Sequence, residues 1–157
     1  MKFTLINNIQ KDSAMSLILK GFLLFILLYL ISDILVMNSS FGVSIDSVYT
    51  TLFGNEDEFI DPIIEAVFLE FWHTQIFFIM MVLLTLNAIF IRVAKRSRTI
   101  LTNLLMISAI VSLISLALAF YISEIFITPY VATFFIWHIV AIYMIFYSFW
   151  KLSAKSI

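Results

Sequence analysis

In the stretch LEFWHTQIFF, residues 69–78, Glu70 and His73 stand three positions apart at the start of a long apolar run. At that spacing one helical turn turns a carboxylate and an imidazole to the same side, as carboxylate-bridged di-metal bundles do. Glu70, His73 and His138 are therefore candidate metal ligands, with Asp33, Glu65 and Glu124 as helpers. Such centres use the motif twice, and here it occurs once. Copper would draw instead on His73, Met80, His138 and Met144, because imidazole and thioether suit that metal.

His73 and His138 are the chain's two histidines, and a pair on facing membrane helices is the axial ligand set of a b-type haem. From the preceding prolines, His73 is eleven residues past Pro62 and His138 nine past Pro129, which puts the two rings at similar depth. From the basic ends, His73 is nineteen residues before Arg92 and His138 thirteen before Lys151, an offset of roughly 9 Å along the membrane normal. An upright haem needs level ligands. Its propionates also want cationic partners, and the end of the molecule nearest both histidines has no Lys or Arg. A third chemistry is ion coupling through Glu65, Glu70 or Asp33. Against all three stands plain packing, with His138 bonded to a neighbouring helix and Glu70 and His73 forming a polar patch at the membrane surface.

The elements that must hold these residues are legible from composition. The chain has 157 residues, 63% of them hydrophobic and 12% charged, with a mean hydropathy of +1.11. Soluble domains are only about 45–50% apolar. An all-α integral membrane protein follows. Four segments, at about 17–36, 64–91, 100–122 and 129–150, approach or exceed the ~18 residues that span hydrocarbon as a helix. They fill the chain as a single membrane domain over 1–157, with a longer connection at 37–62 and no room for a soluble catalytic domain. The first segment follows Lys2, Lys11 and Lys20 but precedes no small-residue cleavage pattern, and reads as an uncleaved span.

Charge orients the spans. The nine basic residues fall before the first span, between the second and third (Arg92, Lys95, Arg96, Arg98), and after the fourth (Lys151, Lys155). Every acid except Asp12 belongs to the opposite ends. The positive-inside rule then predicts a four-helix up-down bundle in a bacterial inner membrane, with both termini cytoplasmic and the acidic connection outside. Asp61-Pro62 and Thr128-Pro129 each pair a capping side chain with a proline suited to a first helical position, which predicts starts for the second and fourth spans. Within the longer connection, Asp46 is placed to cap a short surface helix over residues 45–53 that ends at Gly54.

Ser108, Ser112, Ser115, Ala119 and Ser123 recur at spacings of four, three, four and four, one continuous small face on the third span. Such a face lets backbones approach closely and predicts packing against span two or four. Asn87, near the basic end of span two, is expected to hydrogen-bond between helices. Cysteine is absent, which removes thiolate metal sites, iron–sulfur clusters and covalently attached haem. Nothing matches a nucleophilic triad or a phosphate-binding glycine loop, and no basic stripe supports nucleic-acid binding. The expected partners are the lipid bilayer and other membrane subunits or copies of the chain. The leading expectation is a small non-enzymatic accessory or structural subunit or homo-oligomer, with a b-type haem electron carrier and an ion-coupled transporter as the alternatives.

Overall fold

A backbone in hydrocarbon must satisfy its own N–H and C=O groups, so long apolar runs without interior proline become helices. The computed structural model describes residues 13–94 and 99–154. Lys2, Lys11, Asp12, Lys95, Arg96, Arg98 and Lys155 lie outside them. The described residues form α1 (Ser13–Ser40), α2 (Ile45–Phe53), α3 (Glu65–Val93), α4 (Thr99–Tyr121) and α5 (Ile127–Ser153). All except α2 are long and apolar enough to cross a membrane. α5 is the hub: it packs most extensively on α4 and also touches α1, α2 and α3.

Several local starts differ from expectation. α2 is capped by Ser44 and not by Asp46: Ser44 and Ser47 exchange side-chain and backbone hydrogen bonds at 3.1 and 3.0 Å, leaving Asp46 in the first turn. A two-serine box satisfies two orphan donors where one carboxylate would satisfy one. α3 starts at Glu65, three residues after Pro62, with no side-chain cap. The chain ahead of it stays non-helical because it is pinned across the end of α2, where the Ile63 N–H donates to Thr51 O at 3.0 Å. Thr128 and Pro129 are the second and third residues of α5; Ser123 instead caps a 3₁₀ turn, Glu124–Phe126, that runs into the helix. Proline is tolerated there because first-turn N–H groups have no intrahelical acceptor. α1 continues past residue 36 to Ser40, so Asp33 lies seven residues, about 10 Å, inside the helix end.

The core has two apolar parts. Towards the basic end Leu23, Leu30, Leu86, Leu105, Trp137 and Met144 are fully enclosed. Towards the acidic end Met37, Phe41, Val48, Leu52, Phe68 and Phe134 pack together, with Phe68 stacked on Phe120 at 4.0 Å between ring centroids. α2 thus turns Val48 and Leu52 inward, while Ile45, Tyr49 and Phe53 are exposed. Trp72 ties α3 to α4 by donating Nε1–H to Leu113 O at 3.0 Å.

On α4, Ser108, Ser112, Ser115 and Ala119 are buried, and Ser108 returns its hydroxyl to Leu104 O in its own helix at 2.6 Å. Ser123 is not on this face: it is exposed, beyond the end of α4, because the helix stops at Tyr121. A larger side chain on the buried strip must push α4 away from its neighbours. Ala119→Leu is expected to lower stability by about 1–3 kcal/mol, read by unfolding in mixed detergent micelles.

Candidate functional site: a buried carboxylate–imidazole pair

The buried face of α1 runs Leu23, Ile26, Leu30, Asp33, Met37, at spacings of three and four. Four apolar residues on one seam turn the helix inward, and Asp33 goes in with them. On α5 the buried face carries Phe134, Trp137, His138 and Ala141. The two helices meet so that His138 Nε2 is 3.2 Å from Asp33 Oδ2, with both side chains almost wholly enclosed. The pair lies on the boundary between the two halves of the core, Leu30 and Trp137 in one and Met37 and Phe134 in the other.

The number of protons on this pair follows from its partners. His138 Nδ1 is 2.8 Å from Phe134 O. A carbonyl oxygen only accepts, so Nδ1 carries hydrogen and neutral His138 presents a lone pair at Nε2. That lone pair faces a carboxylate oxygen, and neither atom has another hydrogen-bond partner among the described residues. Two facing lone pairs repel, whereas one proton between them makes the pair neutral overall. Enclosure in apolar surroundings penalises the net charge that loss of this proton would leave. The geometry accommodates one shared proton, as carboxylic acid with imidazole or carboxylate with imidazolium.

Neighbouring groups support the carboxylate side. Gln75 Nε2 donates to Asp33 Oδ1 at 3.2 Å, and Tyr29 OH donates to the same oxygen at 3.4 Å. Buried Tyr130 on α5 is near enough to interact electrostatically with Asp33. The His138 ring packs against Phe134 and Trp137, with centroids 4.3 and 3.7 Å away.

Beside the pair, between α1 and α3, opens a cavity of about 420 Å³. Asp33, Ser32, Glu70, Thr74 and Gln75 give it polar groups; Tyr29, Phe71 and Phe78 give it aromatic walls. Glu70 is exposed on its rim, and His73 is exposed outside it. Sequence spacing had joined Glu70 to His73, but what the fold brings together is Asp33 with His138 and Glu70 with the cavity. Both nitrogens of His138 are engaged within the protein, so iron ligation would require the ring to release Asp33 or Phe134 O. Among the described residues no group of three or more His, Cys, Asp or Glu side chains is arranged to hold a metal ion. Asn87 is buried with its Oδ1 unpartnered among the described residues.

Gln75 and Tyr29 are site residues that the sequence reading does not single out. Asp33 was singled out, but placed at the membrane boundary. The signal that locates it was present: a carboxylate in register with Leu23, Ile26, Leu30 and Met37 belongs to a buried seam.

The family model for Aq_1264_TM, a transmembrane helical domain, matches residues 42–156. That segment holds α2 to α5, and so Gln75 and His138, while Asp33 and Tyr29 precede it. Neither a curated protein nor a solved structure matches the chain. With most of its length matched and four helices fit to cross a membrane, this small membrane protein belongs to the Aq_1264_TM family of transmembrane helical domains.

Proposed function

We propose that the chain is a small ion-coupled carrier of a bacterial inner membrane, an up-down four-helix bundle with both termini cytoplasmic, in which Asp33 and His138 hold the coupling proton. The observation that carries this reading is the carboxylate–imidazole pair buried between α1 and α5, with Asp33 lining a cavity. Ionisable groups are costly inside a bilayer, and a carboxylate facing an imidazole there marks a proton site before it marks a fastening. The charge asymmetry of the sequence supports the orientation. In this reading the acidic end, with α2 and the cavity, faces outward. The partners are lipid around the exposed apolar sides of the helices and, in an assembly, further copies of the chain or other membrane subunits.

A carrier must couple protonation to exposure of its site. The absence of cysteine makes that measurable, because a single introduced thiol is the only one in the chain. Ser32 is exposed and lines the cavity. In Ser32→Cys protein in proteoliposomes, labelling by an impermeant maleimide is expected to depend on pH beyond the thiol's own ionisation. Adding Asp33→Asn, which keeps the shape but cannot exchange the proton, should remove that extra dependence. Identical pH profiles with and without Asp33→Asn would overturn the proposal.

A further inference from the structure

The cavity beside Asp33 has a definite chemistry. Its charged groups are two carboxylates, Asp33 and Glu70, and it is lined by no Lys, Arg or His. Three of its walls are aromatic rings, Tyr29, Phe71 and Phe78, with the Tyr29 and Phe78 centroids 5.7 Å apart. Carboxylates and aromatic faces together attract cations. Val36, Val67 and Phe78, also in the lining, are exposed apolar residues on α1 and α3, so the opening faces the surface those helices turn to lipid. A strongly hydrated inorganic cation gains little from such walls. An organic cation with an apolar body gains from all of them.

We propose that this cavity binds an amphiphilic organic cation, an ammonium or similar group on an apolar body, in exchange for the proton of the Asp33–His138 pair. The assignment rests on the carrier reading and names its substrate class. The charge balance is direct. Before binding, the pair with its proton is neutral. When the cation arrives beside Asp33, the shared proton leaves to water, the imidazole is neutral, and carboxylate plus cation are again neutral. One cation replaces one proton, and the one bond broken is the N–H of the imidazolium form or the O–H of the carboxylic acid form. The titratable groups facing Asp33 are Tyr29 on its own helix, and His138 and Tyr130 on α5; Glu70 on α3 faces the same cavity.

The test uses tetraphenylphosphonium with the purified full chain in lipid-free detergent. Binding measured calorimetrically should tighten as pH rises, since each cation bound displaces a proton. Proton release into weakly buffered solution should approach one per cation bound. Asp33→Asn is expected to weaken binding roughly 30-fold or more. His138→Gln leaves the Asp33 carboxyl as the one proton site of the pair, so it should keep binding and proton release while moving the pH range over which binding tightens. Thr74→Trp, which fills the cavity without touching the pair, should abolish binding while leaving the ¹⁵N signals of His138 unchanged. Helical circular dichroism and a monodisperse elution profile report whether each variant is folded.

Displacement of the probe by short-chain phosphatidylethanolamine, with none by phosphatidylglycerol, would assign the natural cation to a lipid ammonium. Displacement by neither would assign it to a free solute; both results uphold the site. Absence of binding, or binding unaffected by Asp33→Asn and Thr74→Trp, would overturn the inference. If the pH-dependent labelling at Ser32→Cys persisted all the same, the carrier reading would stand without this substrate; loss of both would remove both.

Discussion

Replacing His138 by leucine is expected to destabilise the protein by about 3–5 kcal/mol, the range for breaking a buried ion pair from one side. The variant leaves Asp33, 5% exposed, with Gln75 and Tyr29 as donors but nothing to neutralise it. A carboxylate so stranded can escape only by taking up a proton. The loss should therefore be largest at alkaline pH and shrink as pH falls, because the protonated side chain carries no charge. The double variant Asp33→Leu/His138→Leu removes both charges and should recover most of the stability, since apolar replacement of a whole buried pair is often neutral or favourable. Unfolding in mixed micelles at two pH values checks all three statements. A single-variant loss below ~1 kcal/mol at alkaline pH, or no recovery in the double variant, would refute strong coupling between the two groups.

Gly42→Ala is expected to cost about 1.5–4 kcal/mol, concentrated in α2. Gly42 has a φ of 87°, a left-handed conformation that redirects the chain toward α2 just after its own N–H and that of Phe41 have closed α1 on Met37 O, at 2.6 and 3.0 Å. A methyl group there would run into the side chain of Ser47. Ser47 is half of the box that starts α2, so the substitution adds backbone strain of about 1–2 kcal/mol to loss of a cap worth about 0.5–2 kcal/mol. Val48 and Leu52 would then leave the core at the acidic end. Hydrogen exchange should quicken across residues 45–53 while α5 stays protected. Unchanged exchange in that segment would show that the turn absorbs the methyl group.

How far the sequence could be read varies with the physics involved. The membrane helices were legible because hydrocarbon permits few alternatives, and length with apolarity is the whole signal. Helix starts were less so. Asp46, Asp61 and Thr128 all have capping side chains, but the choice among neighbouring caps depends on tertiary pinning, as where Ile63 bonds to Thr51 across the end of α2. The small strip on α4 could be located up to Ala119 and lost Ser123, because periodicity says nothing of where a helix ends.

The Asp33–His138 pair shows the same limit at the site itself. Each residue was conspicuous, but their meeting depends on which helix packs beside α5. Helices joined by short connections are natural first guesses for neighbours; α1 is remote in sequence and reaches α5 all the same. His73 drew notice as an intramembrane histidine, yet helix rotation leaves it exposed. A three-residue spacing fixes a shared side of one helix, and leaves open whether that side faces protein.

The position of the pair between an enclosed apolar half-core and a side opening has an electrical consequence. Low-permittivity material between Asp33 and the basic end takes the greater part of any voltage across the bilayer. In the proposed orientation, with the hydrocarbon edge at the end of α1, a positive charge reaching Asp33 from the acidic end would cross about a third of the hydrocarbon, worth about 0.8 kcal/mol per 100 mV, so occupancy should respond weakly to potential. Onward passage through the half that contains Leu23, Leu30 and Met144 would meet the remaining two thirds, and that leg is where voltage would set the rate.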